Sequence, residues 1–90
     1  MTKAVITVIG KDTVGIIAGI CTYLAEKKVN ILDISQTIVH GYFNMMMIIE
    51  LQNATKDFGA ICDELNELGN EIGVNIKLQH ENIFNKMHRI

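Results

Sequence analysis

AVITVIGKDTVGIIAGICTYLAEKKVNILDIS, residues 4–35, changes its hydrophobic period twice, and those two changes decide the fold. Lys3 to Ile9 is β-branched and almost wholly apolar, the composition of a strand in the middle of a sheet covered on both faces. Gly10 ends it. From Gly15 the apolar residues Ile16, Ile17, Ile20, Cys21 and Leu24 recur at three and four, which predicts a helix over about 15–28 with one apolar face. Lys27 and Lys28 fall in its last turn, where cations complement the helix dipole. From Val29 the chain returns to β-branched residues.

Working outward, Val29 to Val39 and Tyr42 to Leu51 read as two strands around His40-Gly41. A two-residue turn there pairs residues whose numbers sum to 81. It sets Ile38, Gln36, Ile34 and Leu32 against Phe43, Met45, Met47 and Ile49 on one nearly dry face. The other face receives Thr37 with Asn44, Ser35 with Met46 and Asp33 with Ile48. Histidine is a less usual turn residue than asparagine, so a slightly longer turn is an alternative. A second helix is predicted over about 56–72, capped by Thr55 and stopped by Gly73, with Phe58, Ile61, Cys62, Leu65, Leu68 and Ile72 as its apolar stripe. Val74 to His80 alternates Val74, Ile76 and Leu78 with Asn75, Lys77 and Gln79, the pattern of a strand with one buried face.

The order βαββαβ, with two right-handed crossovers, predicts an α+β fold. It is the ferredoxin-like sandwich, a four-stranded antiparallel sheet with two helices on one face. Residues 1–80 form this domain. Residues 81–90 form a short amphipathic C-terminal helix, whose Ile83, Phe84, Met87 and Ile90 look for a surface on the domain or on a dimer partner.

Ninety residues make one domain, and a domain of this size buries only about two-thirds of the surface of its unfolded chain. With 49% hydrophobic and 20% charged residues the composition points to an oligomer, most simply a homodimer that covers Val39, Tyr42, Met46 and Ile48. The net charge of -2 and the scattered lysines argue against nucleic acid as a partner. No apolar stretch is long enough to span a bilayer and no leader follows Met1, so a cytoplasmic protein without a membrane partner is expected. Cys21 and Cys62 read as buried reduced thiols. His40, His80 and His88 are too scattered to suggest a metal site, and no cofactor is expected. Alternation along the strand sends Met45 and Met47 inward and leaves Met46 for a partner.

The loop Gly10-Lys11-Asp12-Thr13-Val14-Gly15 places the backbone N–H groups of a helix start beside a carboxylate. Glycine there lets a small anion approach the backbone, and Asp12 can take an ammonium group. These are the two poles of an α-amino acid. Asn30, read as arriving near the same end of the sheet, adds a donor and an acceptor. The same residues also serve structure alone, Gly15 by permitting close packing and Asp12 or Thr13 by capping the helix.

Residues 4–35 closely resemble the ACT domain, with its strand, G-x-D-x-x-G-I loop and helix, and VNI opening the second strand. The likeness extends to small stand-alone bacterial ACT proteins with tails similar to IFNKMHRI. The resemblance implies a non-enzymatic regulatory module that binds an amino acid or similar effector where subunits meet. Its ligand-site candidates are Asp12, Val14, Gly15, Ile16, Asn30 and Ile31. Similarity to glycine-cleavage regulators suggests a role near amino-acid metabolism, and with no enzyme attached the output goes through a protein partner. The alternative is a dimerisation adaptor with no ligand. An acylphosphatase, which shares the fold, is disfavoured because its phosphate loop needs an arginine and none lies between Gly10 and Gly15.

Overall fold

The computed structural model describes residues 3–11 and 14–81. The elements are β1 (Lys3–Lys11), α1 (Ile16–Glu26), β2 (Asn30–Val39), β3 (Tyr42–Glu50), α2 (Phe58–Ile72) and β4 (Val74–His80). The four strands form one antiparallel sheet in the order β2-β3-β1-β4, so the ferredoxin-like α+β sandwich expected from the period changes is the fold observed. β1 is central. Its Ala4, Ile6 and Val8 face the helices and are buried with Met45, Met47 and Ile49 of β3 and Ile76 and Leu78 of β4. Ile16, Ile20 and Leu24 of α1 and Ile61 and Leu65 of α2 close this core from above. The opposite face of β1 is only partly covered, since Val5 is buried there while Ile9 is exposed.

The hairpin turn is the two-residue turn. His40 has φ 51° and Gly41 φ 80°, and positive φ at both positions is what a type I′ turn requires. The register that sums to 81 holds from Val39↔Tyr42 through Asp33↔Ile48. Beyond it the expected pair of Leu32 with Ile49 does not form, because a bulge at Leu32 lets Ile31 pair with Ile49 and Asn30 with Glu50. The N–H of Val29 donates to the Leu24 carbonyl at 2.9 Å, and this tether fixes where the chain enters the sheet. One residue is left over and is absorbed at Leu32.

Each helix departs from the reading of the sequence at one terminus. α1 stops at Glu26, so Lys27 is its C-cap and Lys28, at φ 59°, already lies outside the last turn. α2 is capped by Asp57, whose carboxylate accepts from the Ala60 N–H at 2.8 Å, while Thr55 donates to the Lys27 carbonyl. A carboxylate at an N-cap gains from the helix dipole as well as from the hydrogen bond. Gly73 terminates α2 as expected, in the left-handed region at φ 93°. Cys21 and Cys62 are free thiols, half-buried rather than fully buried. Met45 and Met47 point inward and Met46 outward, as alternation requires. Of the expected C-terminal helix only Glu81 is described, in a helical conformation; residues 82–90 lie outside the described residues.

Two glycines set the position of the helix layer. A Cβ on Gly69 would stand 2.7 Å from the Val74 carbonyl oxygen and 3.1 Å from Ile76, so α2 rests directly on β4. A Cβ on Gly19 would meet only the tip of Ile72, at 3.0 Å. On the same side of α1, Tyr23 donates its hydroxyl to Glu64 of α2 at 2.7 Å, and Lys56 also pairs with Glu64. Burial pushes the Tyr23 hydroxyl well above its ordinary value, helped by the bond to Glu64 and by that carboxylate's charge. Hydrogen bonds from Lys56 and Tyr23 hold the Glu64 carboxyl below its own.

Gly69→Ala is expected to destabilise by about 1–3 kcal/mol in urea unfolding, because the clash is with backbone. Gly19→Ala is expected to stay within about 1 kcal/mol of the parent, since the gain in helix propensity offsets a shift of one flexible side chain. The interhelical cluster also predicts a pH profile. A raised tyrosine pKa contributes stability that is complete below its ordinary value of 10.0 and fades as pH rises above it. The lowered carboxylate pKa contributes stability that is complete above 4.5 and fades below it. Urea midpoints measured against pH are expected to fall on both sides, and Tyr23→Phe to flatten the alkaline limb.

Candidate functional site

The start of α1 is built to present bare backbone. Gly15 is the N-cap, at φ 92° and ψ 1°, and among the described residues no side-chain hydrogen bond caps the helix there. The first helical bond runs from Gly19 N–H to the Gly15 carbonyl at 2.9 Å. The N–H groups of Ile16, Ile17 and Ala18 therefore precede the helical ladder and point out of its positive end. Among the described residues a Cβ on Gly15 would meet nothing within 4 Å, and its backbone conformation is one that L side chains rarely adopt. Val14 beside it is almost completely exposed. Ile16 is buried in the core, so it offers a ligand its N–H and not its side chain. Asp12, the expected ammonium partner, lies outside the described residues.

Asn30 and Ile31 are not near this point within one protomer. β1 delivers the chain to the hairpin end of the sheet, where Lys11 pairs with Tyr42, and α1 then runs back the full length of its 11 residues, about 16 Å. β2 starts at the far end, with Asn30 beside Glu50 and Lys3. A strand–helix–strand crossover necessarily separates the residue before its helix from the residue after it, so the expectation that Asn30 shares Gly15's end is overturned. The bulge at Leu32 also decides the faces. Ile31 joins the inward row of Ile49, while Asn30 is exposed on the outward row of Glu50 and Lys3.

The two sheet edges differ. β4 is seven residues long, carries Lys77 at its middle and has α2 seated on it. β2 is ten residues long and has no lysine and no proline, and its edge-protecting features, the bulge at Leu32 and the charge of Asp33, lie in its first four residues. Its inward residues Ile34 and Ile38 are 42% and 57% exposed although their cross-strand partners Met47 and Phe43 are buried. The helix layer thus ends over β3. Ile17 on α1 and Leu32 at the bulge add to this uncovered apolar margin, which residue types alone did not reveal because its sequence is that of a core strand.

Other features are structural. Tyr23 and Glu64, with Lys56 paired to Glu64, face the seam between α1 and α2 and bear on the packing of the helices. His80 stacks on Phe58, with ring centroids 3.8 Å apart, and His40 sits exposed in the turn; His88 is outside the described residues. Among the described residues no group of three histidine, cysteine or acidic side chains is placed to hold a metal ion, and no helix is long and apolar enough to cross a membrane. A shallow hollow of about 240 Å³ on the outer sheet face is lined by Thr7, Ile9, Ser35, Thr37, Asn44 and Met46.

Comparison with known proteins agrees with the geometry. A UPF0237 protein of Bifidobacterium longum is 64% identical over 90 residues, covering 100% of both chains. The structure of an ACT domain protein from Streptococcus pneumoniae superposes with a TM-score of 0.81 at 41% identity, over 92% of this chain and 93% of that one. A putative glycine cleavage system transcriptional repressor shares the fold at 21% identity, with a TM-score of 0.74 over 88% of this chain and 45% of its own. The family model for the ACT domain matches residues 2–79, and the chain belongs to the ACT domain family.

Proposed function

We propose that this protein is a non-enzymatic regulatory dimer that binds a small effector, an amino acid, and passes the signal to a protein partner. Membership of a family whose domains commonly bind small effectors and dimerise supports this reading. So does the fold it shares with a putative transcriptional repressor. The observation that carries it is the pairing of two features: a helix start that opens on the bare backbone of Gly15 and an edge strand left bare by the helix layer.

One assembly uses both. A twofold axis through the middle of β2, near Ile34 and Ser35, pairs the strand antiparallel with its copy and joins the two sheets. Asn30 then lies beside Val39 of the partner subunit, at the hairpin end where the partner's α1 begins. The two halves that one protomer holds at opposite ends meet across the interface, twice per dimer. The effector's carboxylate takes N–H groups at the start of one α1. Its ammonium group is held by Asp12 of that subunit or by Asn30 of the other, with Val14 and Ile31 contributing apolar contact. Association also covers Ile34 and Ile38. A face-to-face dimer over Val39, Tyr42, Met46 and Ile48 would leave those residues in water.

Ile34→Lys is expected to turn a dimer into a folded monomer in sedimentation at tens of micromolar, whereas Lys77→Ala on the other edge is expected to leave the dimer intact. A monomeric parent protein would overturn the assembly. For the effector, a thermal-shift screen of the twenty amino acids is the direct test, since a ligand at 100 times its dissociation constant stabilises by about 2.7 kcal/mol. Gly15→Val is expected to abolish that shift while leaving a folded dimer. A dimer that responds to no amino acid at millimolar concentration would establish the adaptor reading instead.

A further inference from the structure

β4 gives the sheet a second open edge, and charge makes that edge unlike β2. One side of β4 pairs with β1, and among the described residues no strand pairs with the other. Alternate residues of an edge strand turn their N–H and C=O outward, so about half of the seven residues of β4 present unpaired backbone groups. Lys77 stands at the middle of the strand, exposed on the outer face of the sheet beside Thr7 of β1. Among the described residues it has neither an ion-pair nor a hydrogen-bond partner. On the helix side a groove of about 480 Å³ runs between α2 and β4, lined by Cys62, Asp63 and Asn66 of the helix and by residues 75–79 of the strand. Cys62 is half-buried there and Asp63 is exposed. The two faces of this edge therefore carry opposite charges, Lys77 on the outer face and Asp63 on the helix side.

We infer that β4 docks an extended segment of a protein partner as an added strand, and that the segment carries an acidic residue opposite Lys77 with an apolar residue on either side of it. A copy of β4 is the wrong occupant. Pairing antiparallel about the strand's centre, it would set Lys77 against its own counterpart on one face, about 5 Å apart, and like charges directly opposite are destabilising. The centre of β2, at Ile34 and Ser35, is uncharged and carries no such bar. A strand with a carboxylate opposite Lys77 gains what the copy loses. Because strand side chains alternate, the neighbours of that carboxylate turn to the helix side, beside Ile76 and Leu78. There the groove offers the Cys62 thiol, the Asn66 amide and the negative charge of Asp63, surroundings that accept an apolar side chain and reject an acidic one. A slip of one residue would bring the acid to Asp63 and an apolar side chain to Lys77, so the register is specified as well as the composition. Backbone hydrogen bonds along the open edge supply the affinity, and the alternating side chains the specificity. The inference deepens the partner half of the proposed function and rests on that reading for β2 being the edge that copies share.

The probes are a blocked peptide, Ser-Val-Ser-Val-Glu-Val-Ser-Val-Ser, and its twin with lysine in place of the central glutamate. Titrated into the full chain, the glutamate peptide is expected to shift the amide resonances of residues 62–66 and 74–80 and to slow hydrogen exchange along β4. It is expected to bind about fivefold more tightly than its twin, and Lys77→Glu to reverse that preference. Shifts centred on β2, equal binding of the two peptides, or no binding of either at millimolar concentration would overturn the inference. So would a folded Lys77→Glu variant that still prefers the glutamate peptide. The comparison of the two peptides on the unmodified protein decides the matter even if the variant fails to fold. Ile34→Lys is expected to lose the dimer and keep the peptide. A monomeric parent that binds the glutamate peptide at β4 would overturn the dimer alone, and a dimer indifferent to both peptides would overturn this inference alone.

Discussion

The close approach of Gly69 to the Val74 carbonyl fixes where everything else in this molecule can sit. Without a side chain at that position α2 settles directly on β4, and Gly19, opposite Ile72, draws α1 in beside it. The Tyr23–Glu64 hydrogen bond then fastens the pair. A layer anchored at the β4 side covers β4, β1 and β3 and stops there. The bareness of β2 follows from the anchoring of the helices elsewhere and not from any polarity of its own. A core-like strand left at an exposed edge is unfavourable in a lone protomer, and on the proposed assembly a copy of the same edge would relieve it.

The outer face works by a different division. Its middle rows carry Thr7, Ser35, Thr37 and Asn44 between the apolar residues, with Lys77, Asp33 and Lys11 toward the margins. Such a surface tolerates water better than the Ile34–Ile38 margin does.

Much of this was legible in the sequence because hydrophobic period reports directly on which side of an element is buried. The strand–helix–strand order, the inward Met45 and Met47, the stop at Gly73 and the hairpin register from Val39 to Asp33 all rest on period or on a turn whose geometry residue type constrains. The bulge at Leu32 rests on neither. It arises from where the tether of Val29 to Leu24 delivers the chain, a tertiary constraint. Thr55 and Asp57 both belong to the residue types that cap helices, and only the path of the loop past Lys27 assigns each its partner. Tyr23 and Glu64 are 41 residues apart and carry no joint signal. The site residues were identifiable as types, but their separation follows from the handed path of the chain rather than from their spacing in it.

That separation carries a thermodynamic consequence. Gly15 and Asn30 stand at opposite ends of α1, so on the proposed reading neither chain alone offers a complete site and each bound effector touches both. Effector affinity and subunit affinity are then one coupling free energy seen from two sides. Whatever factor the effector adds to the association constant, association must add to the effector's binding constant. Near the dimer's own dissociation constant the protein would respond to effector level and to its own abundance together. A lone protomer at low abundance would be deaf to an effector concentration that saturates the assembled pair.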